Sequence, residues 1–117
     1  MAFKTGYRNW TDYRKLPGLL EIDFHFSGQE ITTSYYERMD DVWHMALNAI
    51  IKAQKEGKDH VLFTHGCSTS RNGATTSRSQ IRKLMRSKIA TPFILRSQCI
   101  QHETVFVVVI RPLKFDA

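Results

Sequence analysis

The sequence predicts an α/β fold, a two-layer α/β sandwich built around a strand-helix-strand unit. Apolar and polar residues alternate strictly over residues 20–27, as in a strand with one buried face. A long amphipathic helix follows at about residues 35–56, and a short strand with few charges follows at His60–Thr64. This order predicts two parallel strands joined by a right-handed crossover.

The long helix has a signal at each end. Ser34 and Glu37 have the spacing of a capping box, in which a hydroxyl and a carboxylate satisfy free backbone N–H groups at a helix start. Gly57 is suited to the position after the last turn. The apolar stripe between them is more typical of core packing than of a cofactor pocket, and consists of Tyr35, Met39, Val42, Trp43, Ala46, Ile50 and Ala53.

The second half of the chain predicts another helix and a hairpin. The helix covers about residues 78–88, and two strands at residues 93–100 and 104–110 are joined by a short polar turn. The predicted order is therefore β-α-β-α-β-β, with a mixed four-stranded sheet and two helices. We expect residues 1–18 to form an irregular N-terminal arm and residues 19–117 to form a single domain.

Composition excludes several classes of protein. The 117 residues, 42% of them hydrophobic, suit one domain with one site. No apolar run is long enough to cross a bilayer and no signal peptide is evident, so we expect a soluble cytoplasmic protein without a membrane partner. Cys67 and Cys99 lack the spacing of a zinc knuckle or a disulfide framework. The absence of Walker and G-x-G-x-x-G spacing argues against a nucleotide cofactor.

Positive charge is concentrated in one segment. The formal net charge is +6, and residues 66–102 contain no Asp or Glu. The cations of this segment are Arg71, Arg78, Arg82, Lys83, Arg86, Lys88 and Arg96. A region of one sign attracts polyanions, most often nucleic acid, although a solvated basic face without a partner is the alternative.

Proton-transfer residues follow both strands of the predicted parallel pair. Asp23 and His25 share one face near the end of the first strand, and His65 follows the second. Ligands of parallel α/β sheets bind beyond the carboxyl ends of the strands. We therefore expect these three residues to activate water or protonate a leaving oxygen, with Asp23 and His25 as candidate ligands of a divalent ion such as Mg²⁺ or Mn²⁺. Alternatively, Asp23 caps a neighbouring turn and His25 is simply solvated.

The segment after His65 has the composition of a phosphate-binding site. Glycine permits close approach of the backbone, and a helix N-terminus offers amide hydrogens and a positive dipole end. The candidate phosphate-binding or nucleic-acid-binding residues are Gly66, Ser68, Arg71, Gly73, Ser77, Arg78, Arg82, Lys83 and Arg86.

Two motifs in this order resemble the Smr (small MutS-related) domain family. The residues Leu20-Glu-Ile-Asp-Phe-His25 resemble its L-D-L-H motif, and Thr64-His-Gly66 resembles its H-G motif. The chain departs from the pattern in three places: Phe26 and Ser68 replace glycines, and the loop before the second helix is longer, with Gly73 late in it. The resemblance covers about residues 19–110 and implies an Smr-like α/β domain that binds nucleic acid and, in many members, nicks DNA or cuts RNA.

These observations lead to two functional hypotheses, and a third, a small interaction domain that uses Trp10 and the aromatic arm, leaves the acid-free basic segment unexplained. The first is an endonuclease, a hydrolase that acts on phosphodiester bonds of DNA or RNA. The second is a module without catalysis that binds branched or single-stranded nucleic acid. The sequence does not specify an oligomeric state.

Overall fold

The computed structural model describes residues 3–6, 9–24, 35–65 and 77–113. Five strands form one sheet in the order β1-β4-β5-β3-β2. The strands are β1 (Lys4–Thr5), β2 (Leu19–Asp23), β3 (His60–Thr64), β4 (Ile100–Gln101) and β5 (Val105–Val109). The α-helices are α1 (Tyr35–Lys55) and α2 (Ser77–Arg86), and two 3-10 helices cover Trp10–Lys15 and Arg96–Gln98.

The predicted strand-helix-strand unit is confirmed. Strands β2 and β3 are parallel, in a register that pairs Leu19 with His60 and Asp23 with Thr64. Strand β5 is antiparallel to β3 and lies at the centre of the sheet, so the sheet is mixed as predicted. The carboxyl ends of β2 and β3 therefore lie at the same end of the sheet as the first residue of β5, Val105, which pairs with Thr64.

The prediction of four strands is wrong because the N-terminal arm contributes a fifth. Strand β1 pairs with β4 in parallel, and the backbone N–H of Lys4 donates to the carbonyl of Cys99 at 2.9 Å. The Phe3 ring packs edge-on against Phe106 with centroids 4.9 Å apart. An aromatic contact and strand pairing therefore attach the described part of the arm to the sheet.

The predicted strand at residues 93–100 is also wrong for most of its length. Ile94 forms an isolated bridge with Ile110, a 3-10 turn follows at Arg96–Gln98, and only the two residues of β4 pair regularly. In this turn, the side chain of Arg96 points back to the end of α2 and not along a strand. Its Nε donates to the Met85 carbonyl and its Nη2 to the Ser87 carbonyl, both at 2.8 Å.

The two faces of the sheet are covered differently. Helices α1 and α2 bury a large apolar core on one face, which includes Val42, Ala46, Ile50, Val61, Phe63, Ile81, Leu84, Met85, Phe106 and Val108. On the other face, the arm places Tyr13 against Leu62, Val105 and Val107, with Trp10 and Leu16 packed at the margin. The α/β sandwich thus carries a partial third layer made by the arm. No helix in the described part of the chain is long and apolar enough to cross a membrane.

Candidate nucleic-acid interface

Two of the three predicted catalytic residues lie at neighbouring strand ends. Asp23 ends β2 and is exposed, and it pairs in register with Thr64. His65 follows Thr64 directly, is only 7% exposed, and donates its backbone N–H to the Thr104 carbonyl at 3.1 Å. The parallel pairing of β2 with β3 is what brings these two residues to the same end of the sheet.

Strand alternation assigns the two side chains to different faces. Leu20, Ile22 and Phe24 pack on the helix side, so Asp23 belongs to the opposite face. Phe63 is part of the helix-side core, and His65, two residues further along, belongs to the same face. The two residues share an end of the sheet, and a substrate that contacts both has to cross this end.

Several predicted residues lie outside the described part of the chain. These are His25, Gly66, Ser68, Arg71 and Gly73. Ser77 is the first residue of α2, and its side chain is likewise outside the description.

Only one of the two predicted metal ligands lies in the described part of the chain. Of the proposed pair, Asp23 alone falls within the described residues, among which no group of three or more His, Cys, Asp or Glu side chains is placed to hold a metal ion. Asp23 as the only described donor does not by itself fit a divalent ion.

The cations of α2 form a compact row, which we call the basic row: Arg78, Arg82, Lys83 and Arg86. Residues four apart on a helix are neighbours, so the guanidinium groups of Arg78 and Arg86 flank Arg82. Burial, and then the positive charges of Arg78 and Arg86, lower the pKa of Arg82 to about 10. The row therefore contains positive charge that its own surroundings make unfavourable.

Neutral oxygens hold two of these arginines in place. The Nη2 of Arg82 donates to the His102 carbonyl, and the Nη2 of Arg86 donates to the Oε1 of Gln101, both at 3.1 Å. The guanidinium of Arg86 also lies 5.4 Å from the centre of the Phe3 ring. Within the described residues, neither Arg82 nor Arg86 forms a salt bridge with a carboxylate, so both retain their charge for an external anion.

The turn between β4 and β5 connects the basic row to His65. The Thr104 N–H donates to the Nδ1 of His102 at 3.0 Å, and the Thr104 carbonyl accepts from His65. The His102 carbonyl in turn accepts from Arg82. The row and His65 at the end of β3 thus belong to one continuous network.

Sequence reasoning missed the contribution of this turn. Gln101, His102 and Thr104 accept hydrogen bonds from Arg86, Arg82 and His65, respectively, and so help to orient these predicted site residues. The available signal was the position of the hairpin turn, which an antiparallel hairpin beside β3 brings to the carboxyl ends of β2 and β3. Arg96, counted with the basic segment, instead caps α2 through three hydrogen bonds.

Comparison with known proteins adds no relative. The chain matches no protein-family model, no curated protein and no solved structure at a significant level.

Proposed function

We propose that the chain binds the phosphate backbone of nucleic acid through the basic row of α2. The observation that carries this proposal is the environment of Arg82, which has a cation on either side and a neutral carbonyl as its hydrogen-bond acceptor. A bound phosphate would relieve the repulsion between these cations and would accept charge-assisted hydrogen bonds from them. Contacts between protein cations and the phosphate backbone of nucleic acid give affinity without sequence preference.

Binding of labelled oligonucleotides to matched charge variants tests this proposal. The double variant Arg78→Gln/Arg86→Gln removes two charges from the row, and Lys55→Gln/Lys58→Gln removes two from the opposite end of the sheet. We expect the first pair to weaken fluorescence-anisotropy affinity by about tenfold or more, since each lost phosphate contact costs on the order of 1 kcal/mol.

The control distinguishes a site from a general effect of net charge. The Lys55/Lys58 variant should bind within about twofold of the unmodified chain at physiological salt, because screened charges far from the contact contribute little. Equal losses in the two double variants would contradict a localised interface.

We further propose that the strand ends hydrolyse phosphodiester bonds, with the non-catalytic module as the alternative. The supporting observation is that Asp23 and His65 occupy adjacent strand ends and that the turn at residues 102–104 connects His65 to Arg82. Asp23, as a carboxylate, would accept a proton from the attacking water. His65 would transfer a proton to the leaving oxygen, and the basic row would hold the adjacent phosphates.

A nicking assay separates the two alternatives. Supercoiled plasmid and structured RNA are incubated with the protein in Mg²⁺, Mn²⁺ or EDTA, beside Asp23→Asn and His65→Ala. We expect each substitution to slow cleavage by about 10²-fold or more. Because His65 is buried, its variant is compared only after thermal unfolding shows that it is folded.

The possible outcomes point in different directions. Cleavage that survives both substitutions would rule out this catalytic assignment. Binding with no cleavage under any of the metal conditions would favour the non-catalytic module.

A further inference from the structure

Within the described residues, no strand pairs with the outer edge of β2. Strand β2 ends the sheet, and among the described strands it pairs with β3 alone. The Phe24 N–H donates to the Thr64 carbonyl at 2.8 Å, so even-numbered residues direct their backbone groups toward β3. Because these groups alternate along a strand, Leu19 and Glu21 direct their N–H and C=O groups outward. An edge of this kind is a template for another strand.

A shallow groove runs along this edge, between β2 and α1. Its volume is about 280 Å³. Its lining residues are Leu20, Ile22, Met45, Asn48, Ala49 and Lys52. Met45 is 44% exposed, which is high for a large apolar side chain on a helix that packs against a sheet. The groove therefore combines unburied apolar surface with an available strand edge.

The row of α1 that borders the groove is complementary to itself. Asp41, Met45, Asn48 and Lys52 follow one another at spacings of four, three and four residues, so they lie on one helical face. All four are exposed. When a second copy of α1 lies antiparallel beside the first, Asp41 of each copy faces the position of Lys52 in the other, and Met45 faces the position of Asn48. Self-complementarity of this kind is what a two-fold symmetric contact requires.

We propose that this face binds a second copy of the chain in a two-fold symmetric dimer. The β2 strands pair in antiparallel orientation about Glu21, and the α1 helices lie antiparallel above them. Asp41 of each copy then faces Lys52 of the partner subunit, and the groove residues Leu20, Ile22 and Met45 become buried. This inference is independent of the proposed nucleic-acid function.

The charge on Glu21 is compatible with pairing about this residue. In the symmetric arrangement, the two Glu21 side chains lie opposite one another, where like charges are destabilising. Each Glu21, however, already forms an ion pair with Arg14 of its own chain, with 2.9 Å between Arg14 Nη2 and Glu21 Oε1. The Arg14 charge beside each Glu21 offsets part of this repulsion.

Sedimentation equilibrium of the full chain with charge reversals tests this arrangement. The unmodified chain, of 13.6 kDa, should sediment at twice that mass at micromolar concentrations. Asp41→Lys sets Lys against Lys52 of the partner subunit at two symmetric positions, and Lys52→Asp sets Asp against Asp41 of the partner subunit. Each single reversal should weaken the dimer by about tenfold or more.

The double reversal Asp41→Lys/Lys52→Asp is the decisive variant. It restores opposite charges across the two-fold axis, so it should return dimer affinity to within a few-fold of the unmodified chain. Rescue is specific to antiparallel self-association, because a different partner or a different face gives no reason for the two reversals to compensate. Circular dichroism confirms that each variant is folded.

Three results would overturn the proposal. The first is a chain that stays monomeric at all concentrations up to about 200 μM, because the dissociation constant would then be too high for a specific dimer. The second is a dimer unaffected by either single reversal, which would place the contact elsewhere. The third is a double reversal whose dimer is as weak as the dimers of the single reversals.

A further check uses Glu21→Pro, which removes one outward N–H at an edge where proline is tolerated. It should dissociate the dimer, whereas Glu21→Ala should not.

Discussion

Cys99 shows how burial changes the chemistry of one residue. Its side chain is fully buried, and burial raises the pKa of the thiol to about 11 from the usual 9.0. The folded protein therefore holds Cys99 as the neutral thiol, which is a poor nucleophile. The stabilisation that this raised pKa represents is fully present below pH 9 and is lost as the pH rises toward 11.

This shift predicts a specific loss of stability in alkali. Between pH 8 and pH 11, the free energy of unfolding of the unmodified chain should fall by about 2 kcal/mol more than that of Cys99→Ala, since each pKa unit corresponds to about 1.4 kcal/mol. Urea unfolding of both proteins at the two pH values measures the difference. Parallel pH profiles would contradict a buried neutral thiol.

Arg96 illustrates a cation used for structure. Its guanidinium donates to the Met85 and Ser87 carbonyls and to the Thr91 hydroxyl, and so satisfies acceptors at the end of α2. We expect Arg96→Ala to lower the free energy of unfolding by about 2 to 3 kcal/mol, because charge-assisted hydrogen bonds are lost together.

The controls for Arg96 use charge and shape. Arg96→Lys should recover only part of the loss, because a single ammonium group does not reproduce the planar fork. Removing the exposed Arg111 should change stability by less than about 0.5 kcal/mol. If Arg96→Ala is as mild as Arg111→Ala in chemical denaturation, the capping role is wrong.

At the scale of residues, the sequence was a better guide to candidate functional side chains than to the hydrogen-bond partners of each side chain. Asp23 and His65 could be selected because their positions at strand ends follow from local periodicity. The capping role of Arg96 could not, because the carbonyls it binds are 9 and 11 residues away and become neighbours only after the chain turns at residues 87–93.

Among the elements, β1 depends on a glycine. A Cβ atom built on Gly6 would lie 2.5 Å from the Tyr13 hydroxyl and 2.8 Å from the Ile100 Cγ2. Tyr13 is almost completely buried, so its ring cannot move away without cost. The close approach of β1 to the 3-10 helix therefore requires a residue without a side chain at position 6.

A double-mutant cycle tests this packing. Gly6→Ala should destabilise the protein by about 1 to 3 kcal/mol through overpacking. In a Tyr13→Phe background, which removes the contacting hydroxyl, the same substitution should cost less, and the residual cost reflects Ile100. Thermal unfolding of the four proteins measures the coupling. An identical cost in both backgrounds would show that the arm is not packed in this way.

The lengths of the elements explain which ones the sequence could predict. Helix α1 and strand β3 have periodicity or apolar runs long enough to recognise, and their predicted positions agree with the structure to within a residue at each described end. Strands β1 and β4 contain two residues each, which is too short for any pattern. Their pairing depends on the sheet that receives them, and the apolar run at residues 93–100 was therefore extended too far as a strand.

For the whole molecule, the fold class followed from the order of elements, and the position of the candidate site followed from the fold class. Parallel β2 and β3 place Asp23 and His65 at one end of the sheet, and the row on α2 reaches the same end through the turn between β4 and β5. The position of β2 at the edge of the described sheet could not be inferred from sequence, because the strand order becomes known only when the sheet is assembled.

The salt dependence of oligonucleotide binding tests the central claim most directly. If Arg78, Arg82, Lys83 and Arg86 each neutralise one phosphate of duplex DNA, the logarithm of the association constant should fall against that of salt with a slope of about −3 to −4. The variant Arg78→Gln/Arg86→Gln should reduce the magnitude of this slope by about 2, while Lys55→Gln/Lys58→Gln should leave it unchanged. An affinity that stays flat from low to physiological salt, or a slope that the row variant does not alter, would contradict the proposed interface.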